Sequence, residues 1–129
     1  MQDQQLFEYA VIRLVPRVER EEFLNVGLIL YCARQKYLKA VFKLDEVRLT
    51  AFCKDPDLPE LNRNLDAFVN ICKGSAESGP IGQLDIASRF RWLTATRSTV
   101  LQSSKVHPGF CRDPEKKLQQ LYSEMVLLP

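Results

Sequence analysis

A chain of 129 residues with 46% hydrophobic and 26% charged side chains has the make-up of one folded globular domain, long enough to bury a core. Eighteen bases against sixteen acids leave a formal charge of +2, too little for the electrostatic footprint of a dedicated nucleic-acid binder. No apolar run approaches the ~20 residues of a membrane span, and the polar residues 1–5 contain no basic-then-apolar leader, so a cytoplasmic protein without membrane attachment is expected.

The first predicted element is a strand over residues 6–15. Both of its faces are largely apolar, which predicts a central strand covered on both sides, ended by Pro16. A second strand is predicted over 23–32 and a third over 37–44, with the polar residues 33–36 forming the hairpin between them. The period-2 pattern places Asn25 and Gly27 on one face of the second strand. There they form the floor of a pocket or docking groove, or else mark a bulge or tight strand packing.

Helices follow over 45–73. Asp45 caps a short one. Asp57, Pro59 and Glu60 mark the start of a longer one whose face carries Leu58, Leu61, Leu65, Phe68, Val69 and Cys72, and Gly74 stops it. Residues 74–82, with three glycines, two serines and a proline, are expected as a mobile loop. Residues 86–93 fit a strand or a helical turn, 98–102 are strand-like, and His107-Pro108-Gly109 resembles a turn. Asp113, Pro114 and Glu115 open a last helix over 113–127 with the stripe Leu118, Leu121, Tyr122 and Met125. The fold class expected is α+β: an antiparallel sheet of four or five strands starting with an N-terminal β-meander, with two or three helices. The two long helices should cover one face.

Charge is unevenly distributed. Residues 86–112 contain no carboxylate, yet hold Arg89, Arg91, Arg97, Lys105 and Arg112 together with seven Ser or Thr hydroxyls, the single tryptophan and the single histidine. Without these five cations the remaining chain has thirteen bases against sixteen acids, a balance of −3. Arginine forks and hydroxyl donors suit a phosphate or another anion. Arg89, Arg91, Trp92, Thr94, Arg97, Ser98 and His107, joined by Arg17 and Asn25, are therefore the candidate ligand- or partner-binding residues. Structural ion pairs and protein docking are the competing explanations for the arginines. Arg13, on an otherwise apolar strand face, is expected to pair with a nearby carboxylate such as Glu19 or Glu22, with anion binding as the alternative role.

Catalytic motifs are absent from the sequence: it has no P-loop, GxGxxG, HExxH, EF-hand or nucleophile elbow. Cys32, Cys53, Cys72 and Cys111 are widely spaced without a C-x-x-C pair, which argues for reduced thiols and against a metal centre. No cofactor is expected, and His107 is a proton shuttle by residue type alone.

Tyr9, Arg13, Pro16 and Arg17, followed by Arg20, Phe23, Asn25 and Gly27, resemble the opening of the DUF3037 family. So do Arg89 to Trp92, Thr94, Arg97 and Ser98, continuing to His107-Pro108-Gly109, and the helix opened by Asp113. Residues 36–83 carry little of this resemblance, and Ser103-Ser104-Lys105 stands where a proline-containing stretch is expected. The resemblance implies a small bacterial protein without an established activity, and a HipA-like kinase as partner. It supplies no catalytic residues. The function expected is a non-enzymatic binding or regulatory module with a basic surface for an anion or a partner. An enzyme acting on a phosphate-containing substrate and a weak single-stranded nucleic-acid binder are the alternatives.

Overall fold

A computed structural model describes residues 3–128 of the chain; residues 1, 2 and 129, including part of the polar start weighed above, lie outside the described residues. Strands β1 (Gln5–Leu14), β2 (Leu24–Cys32) and β3 (Tyr37–Phe42) form the expected meander. Then come α1 (Glu46–Phe52), α2 (Leu58–Lys73), the short α3 (Gly79–Gly82), α4 (Ile86–Leu93), β4 (Leu101–Ser103), β5 (His107–Cys111) and α5 (Pro114–Met125). The fold is α+β with a five-stranded antiparallel sheet.

β1 is central, as its two apolar faces require. It pairs with β2 along one edge, while β4 and β5 share its other edge in tandem, opposite Ile12–Leu14 and Gln5–Tyr9 respectively. Val11 lies at the junction where neither short strand supplies a ladder partner. Ser104 fills the gap. Its N–H donates to the Val11 carbonyl and its Oγ accepts from the Val11 N–H, both at 2.8 Å, while the same hydroxyl donates to the Lys105 carbonyl at 2.9 Å. Ser104 is buried, so Ser104→Ala leaves the Val11 amide without a partner. The expected cost is about 1–3 kcal/mol in urea unfolding, with faster amide exchange at Val11. Unchanged exchange there would sink this account.

The two long helices do not share a face, contrary to expectation. α1, α2 and α4 pack Leu49, Leu61, Leu65, Phe90 and Leu93 onto Ile12, Leu14, Ile29 and Tyr31. α5 packs Leu118 and Leu121 onto Phe7, Val11, Leu28 and Leu30 on the other side. The reason lies in β1 and β2: with apolar side chains on both faces, each face must be covered. There are also more helices than expected. Residues 86–93 are helical because Phe90 and Leu93 then bury together, with Phe90 stacked on Tyr31 at 5.1 Å. The predicted loop at 74–82 is wound into a 3-10 turn and α3. His107-Pro108-Gly109 is part of β5 and not a turn, with the Phe7 ring lying across Gly109.

Local capping chemistry follows the sequence closely. Asp45, Asp57 and Asp113 each accept backbone N–H bonds at the starts of α1, α2 and α5. Gly74 closes α2 with φ of 67°, a left-handed conformation that glycine adopts without steric cost.

α5 is tied to β3 through Glu115. Tyr37 Oη donates to its carboxylate at 2.7 Å, Lys39 Nζ at 3.1 Å and Gln119 Nε2 at 3.0 Å. The tyrosine hydrogen bond, aided by the other two, holds the Glu115 pKa down to about 2. A depressed carboxylate pKa stabilises the fold above its unfolded value of about 4.3, and that contribution disappears as pH falls toward 2. Because the side chain is half-exposed, solvent screens the Lys39 part. Stability is therefore expected to decline across this acid window, with a shallower decline in Glu115→Gln. Identical pH profiles for the two proteins would remove Glu115 from the account.

Candidate functional site

The window at 86–112 is divided between three tasks. Arg89 on α4 points back to the end of α2. Its Nη1 donates to the Ile71 and Cys72 carbonyls at 2.9 and 2.7 Å, and its Nε to the Leu84 carbonyl at 3.0 Å. Arg91 forks onto both oxygens of Glu8 at 3.0 and 2.9 Å, joining α4 to β1. Thr94 Oγ1 donates to the Phe90 carbonyl within the last helical turn. These side chains spend their donors inside the molecule.

Arg97 and Trp92 are arranged differently. The Arg97 guanidinium lies 4.1 Å from the centre of the Trp92 ring, and its Nη2 also donates to the Trp92 carbonyl. Trp92 is 38% exposed and Val100 43% exposed. Together with Asn64, Phe68 and Ile71 of α2, these residues border a mainly apolar cleft of ≈ 500 Å³. The lining has no carboxylate, thiol or imidazole, so Thr99 has no general base beside it.

The remaining candidates lie elsewhere. Ser98 is exposed, next to Arg97 in sequence. Arg17 is exposed, bonded to Glu19 at 2.8 Å, and borders a depression of ≈ 300 Å³ with Arg20, Glu22 and Lys54 that shares no lining residue with the Trp92 cleft. His107 is exposed on β5, with its ring 5.3 Å from that of Tyr9. Direct cross-strand partners share a face, and Tyr9 packs on the α5 side. The sheet therefore separates His107 from the Trp92 cleft, and the two do not converge.

Asn25 and Gly27 do not share a face either. A bulge at Val26 sets Arg13 opposite Asn25 and Ile12 opposite Gly27. Asn25 points to the α5 side, where its Nδ2 donates to the Met125 carbonyl at 3.1 Å. Gly27 faces Ile12 on the other side. Arg13 does not pair with Glu19 or Glu22, which bond to Arg17 and Arg20. Its guanidinium stacks on Phe23 at 4.0 Å instead.

Sequence reasoning missed Asn64 and Val100 as cleft residues and treated Phe68 as core alone. The available signal was the helical spacing of Asn64, Phe68 and Ile71, which puts all three on one stripe of α2. No helix among the described residues is long and apolar enough to cross a membrane. No curated protein and no solved structure matches the chain. Residues 9–126 match the family model described as a protein of unknown function, DUF3037. That match takes in both halves of the sheet, the bulge at Val26 and the Trp92–Arg97 pair, and the chain belongs to the DUF3037 family.

Proposed function

We propose that this chain is a non-enzymatic binding module that docks a partner protein through the Trp92–Arg97 cleft. The observation that carries the reading is the exposed, arginine-stacked tryptophan beside a mainly apolar cleft. Tryptophan and arginine dominate the energetics of protein interfaces because each combines a large contact area with polar donors. Arg97 offers a carboxylate or phosphate on the partner its unused N–H groups, whereas Arg89 and Arg91 are engaged internally. An enzyme using His107 with Arg97 is disfavoured by their separation across the sheet.

The HipA-like kinase implied by the family resemblance is the partner to assay first, by co-purification and titration calorimetry. Trp92→Ala and Arg97→Ala are each expected to weaken the complex by about ten-fold or more while the circular dichroism spectrum stays unchanged. A complex of undiminished affinity with both folded variants would place the docking surface elsewhere.

A further inference from the structure

The cleft does not end at Asn64. Asn64 and Val100 also border a neighbouring depression of ≈ 260 Å³ next to Asp55, Asp57 and Glu60, so the two depressions form one groove. Asp57, Glu60, Leu61, Asn64, Phe68 and Ile71 recur at three- and four-residue steps, which makes them a single stripe of α2. The thirteen helical steps from Leu58 to Ile71 rise about 20 Å, the span of about six extended residues.

The charges at the two ends differ in sign. Asp55, Asp57 and Glu60 outnumber Lys54 around the depression at the α2 N-terminal end, and Arg97 is, among the described residues, the one charged residue lining the Trp92 cleft. The depressions that adjoin these two add charges of both signs, Arg17 and Arg20 paired with Glu19 and Glu22 on one side and Arg63 with Asp66 and Glu77 on the other. Between them lie Leu61, Val100, Phe68 and Leu101. Asp57 uses one carboxylate oxygen to cap the Glu60 N–H at 3.1 Å, which leaves its other oxygen outside that bond. From this polarity we infer that the groove takes a short extended segment of a partner protein, apolar in the middle, with an acidic residue at Arg97 and a basic residue at Asp55–Glu60. The inference rests on the docking reading above and adds the chemistry and direction of the occupant. A nucleic-acid strand fits the groove poorly, because its phosphates would meet the three carboxylates.

Trp92 is the only tryptophan in the chain, so its fluorescence reports on this groove alone. The experiment selects displayed random linear peptides of about ten residues on the wild-type protein, with counter-selection on Trp92→Ala, and titrates the synthetic winners by Trp92 emission. The expected winners carry an acidic and a basic residue about six positions apart around apolar side chains. Arg97→Glu and Glu60→Lys should each weaken them by about ten-fold or more, and the matching charge swap in the peptide should restore binding. Winners that need Trp92 but show no charge pattern, or are indifferent to both reversals, overturn the inference and leave the docking reading standing. Winners that bind Trp92→Ala equally well overturn both. Trp92 quenching by oligo-dT that weakens with salt, or emission that depends on protein concentration without peptide, would assign the groove to nucleic acid or to a second copy and equally overturn the inference.

Discussion

Gly27→Ala is expected to destabilise the protein by about 3 kcal/mol and to lower its melting temperature by about 10 °C. A Cβ at this position would stand 2.6 Å from the Val41 carbonyl oxygen, 2.9 Å from Ile12 Cδ1 and 3.0 Å from Phe42 Cβ. Ile12 Cδ1 can rotate away, but the Val41 oxygen belongs to the backbone of β3 and moves only if the β2–β3 ladder moves. The bulge at Val26 directs both Val26 and Gly27 toward the α2 layer, so a side chain at Gly27 would also enter the space held by Ile12. Urea unfolding is the measurement. A loss below about 0.5 kcal/mol, the range of an ordinary surface change, would show that the strands part readily here and that the close approach does not explain the glycine.

Arg89→Ala is expected to cost about 2–3 kcal/mol, an effect set by helix chemistry and not by ligand binding. Three carbonyl oxygens, those of Ile71, Cys72 and Leu84, lose a charged donor at once. Two of them belong to the last turn of α2, where the peptide dipoles concentrate negative partial charge and favour a cation. Arg89→Lys should recover only part of the loss, because an ammonium group cannot present the fork that reaches both the end of α2 and the Leu84 carbonyl before α4. Amide exchange would increase most in the last turn of α2. The contrast with Arg97→Ala is informative. That substitution should alter stability by no more than about 0.5 kcal/mol while weakening the proposed partner binding by about ten-fold or more. If Arg89→Ala left stability intact and abolished binding, the roles assigned to the two arginines would be reversed.

The separation of these roles also marks where the sequence was readable. Strand alternation in β1 and β2, the aspartate caps at Asp45, Asp57 and Asp113 and the glycine stop at Gly74 depend on neighbours a few residues away, so each was legible in the sequence and recurs in the fold. The eight residues of α4 were ambiguous because so short an apolar run fits either period until Phe90 meets Tyr31. Arg89, Arg91, Arg97 and Arg17 looked alike as sequence. Their partners differ: Arg91 finds Glu8 83 positions away, Arg89 finds carbonyls 5 to 18 positions away, and Arg97 stacks on Trp92.

Composition and local pattern by themselves determined an α+β chain with a central two-faced strand, the starts of α1, α2 and α5, and a basic, carboxylate-free segment as the place to look for a site. Those properties come from side-chain periodicity and from hydrogen bonds that close within one turn. Only the tertiary structure decided that α2 and α5 cover opposite faces, that β4 and β5 share one edge of β1 with Ser104 between them, and that a bulge separates Asn25 from Gly27. It also decided which arginine of α4 and the segment after it borders the cleft, because Arg91 and Arg89 find Glu8 and the end of α2, parts of the chain that only packing brings to them.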